Sequence, residues 1–293
     1  MLVTKDWLEA NKHLVTLKQS TKYPDLFVIK YKNKVFYDNL WTPALQQCRG
    51  LVLDKDYNVI VRPFDKIFNY MENGTTFKRE DMCVYSRKVN GFMGALTITE
   101  KYGPIYSTTG SLDSDFAKLA EKHLSKYAGR LEEGITWLFE VCDESDPHIV
   151  KEVNGAYLIG AVDTYDGWHY EEQYLDMVAN QEYILRFRSK FGRFSDIVKE
   201  AKECKHEGFV VRPNSEQWKF LKIKSPYYLT TKFLARKRGD KLVELLDDVQ
   251  QAKKTIDEEY YPLLDYLSNI KDEFIAQTEQ ERITIIEKYF KEQ

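Results

Sequence analysis

The sequence predicts an α+β fold: antiparallel sheets flanked by helices over residues 1–230, then a small all-helical C-terminal domain over 231–293. Three observations carry that expectation. Short runs rich in β-branched and aromatic residues recur between residues 26 and 223, broken by Gly, Asn and Pro. Between them lie stretches with apolar residues at helical spacing. Beyond residue 229 the texture changes. The last glycine is Gly239, Pro262 is the one remaining proline, and Leu, Ile and Tyr recur among Glu, Lys, Asp and Gln.

Residues 5–15 place Trp7, Leu8, Leu14 and Val15 in a helical pattern. Strands are predicted at 26–31, 34–37, 51–53 and 59–61. The segment 84–106 reads as a meander of strands, broken at Asn90-Gly91 and Tyr102-Gly103-Pro104. A helix follows over 113–129, with Phe116, Leu119, Ala120, Leu124 and Tyr127 on one face and Ser111 or Asp113 as N-cap. Strands resume at 136–141 and 156–164, helices at 171–189 and 195–204, strands at 208–212 and 218–223. The tail reads as helices over 241–259, 263–278 and 279–289.

Of 293 residues, 43% are hydrophobic and 30% charged, which supports a packed core and argues against disorder. A net charge of −3 carries no bulk basic signature, so a nucleic-acid partner must be gripped by a local patch. Cys48, Cys83, Cys142 and Cys204 are scattered without a Cys-x-x-Cys pair, the usage of reduced thiols in a cytoplasmic protein. The N-terminus lacks the apolar segment of a signal peptide, and no apolar run approaches the ~18 residues of a membrane span. The histidines show no metal-ligand spacing, and no phosphate-binding loop of the Gly-x-x-x-x-Gly-Lys-Ser/Thr or Gly-x-Gly-x-x-Gly kind is present.

The central candidate is Lys88, just before Asn90-Gly91. Asn-Gly is a leading hairpin signal, and on those residues alone a solvated lysine beside a hairpin turn is the plain reading. Charged residues elsewhere change the weighing. Glu140 lies in Trp137-Leu-Phe-Glu-Val141, where a carboxylate is costly to bury without a partner. Lys222 and Lys224 alternate with Ile223 and so share one face of a strand. Glu207-Gly208 precedes an apolar run through Val211, and Arg49 and Lys66 stand upstream in Cys48-Arg49-Gly50 and Arg62-Pro-Phe-Asp-Lys66. A lysine amine attacks the α-phosphorus of a nucleoside triphosphate only when neutral, and its ordinary pKa is about 10.4. Nearby cations and burial lower that value. Lys222 and Lys224, with Arg49 and Lys66, are therefore expected to depress Lys88 and to hold the phosphates. Glu140 and Glu207 suit ribose hydroxyls and Mg²⁺ or Mn²⁺.

Lys88-Val-Asn-Gly91, Phe139-Glu140, Glu207-Gly-Phe-Val-Val211 and Lys222-Ile-Lys224 occur in the order of motifs I, III, IV and V of the covalent nucleotidyltransferases. More finely, the chain resembles the phage T4 RNA ligase 1 family, where an Arg-Gly block lies upstream of the nucleophile as Cys48-Arg49-Gly50 does here. The likeness covers roughly residues 25–230 and includes Arg62–Asn69 and the Lys222-to-Tyr228 block. It implies a nucleotidyltransferase domain of the ATP-grasp-like ligase kind, ATP as substrate, Mg²⁺ or Mn²⁺, and RNA ends as partner, with the protein acting as a monomer. It implies that Lys88 takes the AMP, that Arg49 and Lys66 contact the phosphates, and that Lys222 and Lys224 contact them and assist attack. Glu140 would bind the ribose, Glu207 and Glu140 the metal, and Asn90, Gly91, Val211 and Tyr228 would line the nucleotide. The implied reaction adenylates Lys88, passes AMP to an RNA 5′-phosphate, and seals the strand by attack of a 3′-hydroxyl.

DNA ligases and GTP-using capping enzymes usually carry an arginine shortly after the motif I glycine. Here Phe92 and Met93 follow, which points away from both. The lysines are in place save one, replaced by Thr109, which argues against an inactive RNA-end-binding homologue. Asn90 stands where Asp is commoner, and the tail is shorter than that of the phage enzyme.

Overall fold

The structure, a computed structural model, describes residues 2–215, 219–237 and 239–292. The first helix, α1 (Lys5–Asn11), starts at Thr4, whose side chain accepts from the Trp7 N–H. It stops before Val15, which opens β1 (Val15–Gln19) against β2 (Leu26–Tyr31). Short helices α2 (Asn33–Tyr37) and α3 (Pro43–Gln47) lead to β3 (Arg49–Asp54) and β4 (Val59–Val61). These strands form a first antiparallel sheet, ordered β1-β2-β3-β4. The strand expected at 34–37 is therefore a helix. Its composition suits a strand, but β2 is already paired on both edges, and the segment closes on itself through Asp38 N–H to Lys34 O, 3.0 Å.

Next come β5 (Phe68–Asn69), β6 (Met82–Arg87), β7 (Phe92–Thr99), β8 (Gly103–Thr108), α4 (Asp115–Leu124), β9 (Ile135–Cys142) and β10 (Gly155–Asp163). They are followed by α5 (Glu172–Gln181), β11 (Lys190–Arg193), α6 (Phe194–Glu203), β12 (Gly208–Pro213) and β13 (Leu221–Lys224). A second antiparallel sheet is ordered β10-β9-β7-β8, and a third β11-β6-β12-β13-β5, in which β5 runs parallel to β13. The expected meander is thus split. Only β7 and β8 form a hairpin; β6 belongs to the third sheet, and Asn90-Gly91 carries the chain across to the second. The strand expected at 218–223 begins at Trp218, which lies outside the described residues.

Strand β9 is buried along its whole length. Trp137, Phe139 and Val141 pack under α4 and α5 with Leu124 and Leu175, while Leu138 meets Val52 and Ile105. Ser114, not Ser111 or Asp113, caps α4, and a 3₁₀ turn at Ser125–Tyr127 ends it. Ser111 instead accepts from the Asp113 and Ser114 N–H groups, and Asp113 ties down Ser20 to Lys22. The helix expected over 171–189 stops at Gln181, near Tyr183 at φ 52°.

The tail continues as α7 (Pro226–Arg236), α8 (Asp240–Glu244), α9 (Val249–Lys253), α10 (Tyr261–Asn269), α11 (Lys271–Ala276) and α12 (Glu279–Glu292). The single helix expected at 241–259 is broken, because Asp248 caps a new start at α9 and a 3₁₀ turn follows at Glu258–Tyr260. These helices share a core of their own, with Phe233, Tyr260, Leu263, Phe274 and Ile286 buried together. Among the described residues no helix is long and apolar enough to cross a membrane.

Candidate active site

Lys88 sits where the chain leaves the third sheet, and both sheets hold it. Its N–H donates to Gly208 O at 2.8 Å, and the Gly91 N–H donates to Glu140 Oε1 at 3.1 Å. Two glycines make this approach possible. A Cβ on Gly91 would run into Val141 O and come within 3.0 Å of Cys142 Sγ. Gly208 adopts φ +135°, and a Cβ there would meet Ile223 O and, at 2.8 Å, Lys224 Cα.

The Lys88 amine lies 3.0 Å from Glu207 Oε2 and 3.8 Å from Glu140 Oε1, with Val89 O at 3.3 Å. Burial works to lower its pKa, but Glu207 and then Glu140 outweigh both burial and the charge of Lys224, and the amine is held above its ordinary value. The expectation that cations depress Lys88 is reversed in this state, because carboxylates touch the amine. Burial pushes the Glu140 carboxyl up, opposed by Lys88 and reinforced by Glu207.

Asn90 is buried and spends its amide on this pair. Its Nδ2 donates to Glu207 Oε2 at 2.9 Å and reaches Tyr228 Oη at 3.4 Å, while its Oδ1 accepts from Val150 N–H at 3.0 Å. An aspartate here would set a second carboxylate against Glu207, which gives the departure from Asp a local reason.

The cations gather alongside. Lys222 and Lys224 project from one face of β13, with Val210 of β12 opposite Lys222. Burial, then Lys224, Lys66 and Arg49, push Lys222 well below its ordinary pKa. No ion pair to Lys222 exists among the described residues. Arg49, at the head of β3, approaches Met93 Sδ at 4.0 Å and tends to lower Glu140. Lys66 is buried against the rings of Phe36, Trp41 and Phe68 and pairs with Glu72 at 3.4 Å and with Glu258. Lys224 pairs with Glu259; Glu259 and Glu207 hold it above its ordinary value against the effect of burial. The Tyr228 ring lies 5.6 Å from the amines of both Lys224 and Lys232.

The structure thus brings together Lys88, Asn90, Gly91, Glu140, Glu207, Arg49, Lys66, Lys222, Lys224 and Tyr228. It does not bring Val211 there: Val210 pairs with Lys222, and Val211, one position on, faces the other way into a core with Phe194 and Ile197. Thr109 lies against Gly50, beside Arg49, and places no charge there. Sequence reasoning missed Lys232, Glu258 and Glu259. Lys232 had a legible signal, one helical turn after Tyr228; Glu258 and Glu259 sit in an acidic run that reads as solvated. Among the described residues no group of three or more His, Cys, Asp or Glu side chains is placed to hold a metal ion by itself.

A family model described as RNA ligase, of the T4 RNA ligase 1 type, matches residues 47–228. The chain belongs to this RNA ligase family. The match spans every member of the cluster around Lys88 but stops short of Lys232, Glu258 and Glu259. Two solved structures of archaeal ATP-dependent RNA ligase share the fold of this RNA ligase family member. Form 2 has TM-score 0.65 at 11% identity over 97% of this chain and 75% of its own. Form 1 has TM-score 0.61 at 12% identity over 92% and 76%. A search of curated proteins found no match.

Proposed function

We propose that the chain is an ATP-dependent RNA ligase that joins 5′-phosphate and 3′-hydroxyl ends through an AMP carried on Lys88. One observation carries the reading: a lysine amine held between Glu207 and Glu140, beside a crowd of cations in which Lys222 has no ion-pair partner among the described residues. Such a crowd calls for an anion, and phosphoryl transfer needs cations where charge builds on the phosphate oxygens. The names of the two archaeal structures agree with ATP as the substrate.

In this reading Arg49, Lys66, Lys222 and Lys224 hold the phosphates, Glu140 the ribose, and Asn90, Gly91 and Tyr228 line the nucleotide. The donor set suits Mg²⁺ or Mn²⁺, since Glu207 and Glu140 offer two carboxylates and phosphates complete such sites. A bound ion supplies neutralisation of phosphate charge. Lys88 gives its proton to Glu207, 3.0 Å away, or to solvent, a loss that burial and the charge of Lys224 favour. The free amine bonds to the α-phosphorus while the bond to pyrophosphate breaks. The RNA 5′-phosphate then takes the AMP and frees Lys88, and the 3′-hydroxyl displaces AMP. Residues 1–230 would carry this chemistry and 231–293 a separate helical domain, with α7 running across the join.

The test is incubation with ATP or GTP labelled at the α-phosphate. ATP alone is expected to leave acid-labile label on the protein, absent in Lys88→Ala; equal labelling of Lys88→Ala refutes the reading. Sealing of 5′-phosphorylated RNA but not DNA strands is expected; the converse would mark a DNA ligase.

A further inference from the structure

We propose that the acidic turn Asp257-Glu258-Glu259 occupies the seat of the nucleotide's phosphates, so that triphosphate binding and docking of this turn exclude one another. The inference rests on the reading of Lys66, Lys222 and Lys224 as phosphate ligands. Glu258 pairs with Lys66, and Glu259 pairs with Lys224. Lys232 binds the same turn twice, at 2.8 Å to Glu259 and 2.7 Å to Asp257. Each of these carboxylates stands where a phosphate oxygen would have to stand to use the same lysine. The Glu259 side chain is 7% exposed. Two lysines hold it near pKa 2, although burial opposes them, so it is a permanent anion at neutral pH.

Lys222 is the exception that gives the exchange a starting point. The turn makes no ion pair with it among the described residues, although the Glu258 charge acts on it at longer range. A cavity of 240 Å³ between β13 and the helical segment is lined by Lys222, Lys224, Glu258, Glu259, Pro262 and Tyr289. A polyphosphate entering there meets Lys222 first and then competes for Lys224 and Lys66. Phosphates and Glu258–Glu259 cannot share those amines without close like-charge contact, so the turn must leave. Lys232 then becomes available as a further phosphate cation, where Thr109 supplies none. The apparent nucleotide affinity of the resting protein is the intrinsic affinity reduced by the fraction of molecules with the seat open.

The experiment uses the full chain with sodium tripolyphosphate and ATP as probes. Hydrogen exchange of the amides around 255–262 is expected to speed up when either is added. The double variant Glu258→Gln/Glu259→Gln is expected to bind ATP about tenfold more tightly by calorimetry, as the open fraction rises. Unchanged exchange in a wild-type protein that demonstrably binds ATP would overturn the proposal. So would a folded double variant that binds ATP no more tightly. Should the double variant fail to fold, the wild-type exchange result decides. Failure of the underlying reading looks different: the wild type then binds neither probe and Lys88 takes no label.

Discussion

Glu207→Gln isolates what keeps the resting nucleophile charged. Glutamine retains an oxygen for Asn90 Nδ2 and removes only the charge that sits 3.0 Å from Lys88 Nζ. At an effective dielectric of about 20 that pair is worth about 5 kcal/mol before compensation. Glu140 stays at 3.8 Å and water can adjust, so we expect about 2–3 kcal/mol to survive as a loss of preference for the protonated amine. At about 1.4 kcal/mol per factor of ten, the neutral amine becomes roughly 30- to 150-fold more abundant near pH 8. The assay is acylation of the nucleotide-free protein by a small amine reagent, mapped by mass spectrometry, with Lys118 as internal standard because its side chain is 72% exposed. Lys88 is expected to react slowly in the wild type and far faster in the variant. An unchanged ratio of Lys88 to Lys118 labelling would refute the claim that Glu207 holds the amine protonated.

Lys222→Met removes a cation that burial and three like charges disfavour. It should raise the stability of the nucleotide-free protein by about 1 kcal/mol in urea unfolding, while abolishing adenylation; a loss of stability would contradict the account. Stability should also depend on pH with two signs. Burial holds Asp65 up at about 6, so the cost of keeping it charged in the fold is relieved as pH falls from about 6 toward 3.8. Glu259 lies near 2 instead of 4.5, so its contribution is complete above 4.5 and is lost as pH falls toward 2. Urea midpoints measured from pH 7 to 3 should rise slightly and then drop, and a monotonic fall from pH 7 would count against the Asp65 assignment.

The candidate site was legible in the sequence wherever charge interrupted an apolar pattern. Glu140 within β9 and the alternation of Lys222 and Lys224 on β13 each signalled a polar group facing a purpose. Period-two spacing fixes which side chains share a face, and that rule placed the two lysines correctly. Val211 shows its other edge: Val210 lies opposite Lys222, so Val211, one position on, falls on the core face, and a count of two from Glu207, which precedes the strand, misplaces it. What stayed hidden was long-range. Nothing in the acidic run around Glu258 points to Lys66, 192 residues away. Nor could local composition show that 34–37 had no free strand edge to join. The direction of the Lys88 shift is hidden for a related reason: the cations are visible in the sequence as a pattern, but only the fold shows that the carboxylates stand at the amine.

The crossing at Asn90-Gly91 has a consequence for how this nucleophile is built. Its backbone is pinned to β12 on one side and to Glu140 of β9 on the other, so it is fixed before any nucleotide arrives. The lysine can search for phosphorus only by rotating its own side chain, and substrate must be brought to it. A linear peptide copied from residues 85–91 would inherit the letters of the motif without the clamp. The smallest unit that reproduces the reactive lysine is therefore a pair of sheets meeting at one glycine.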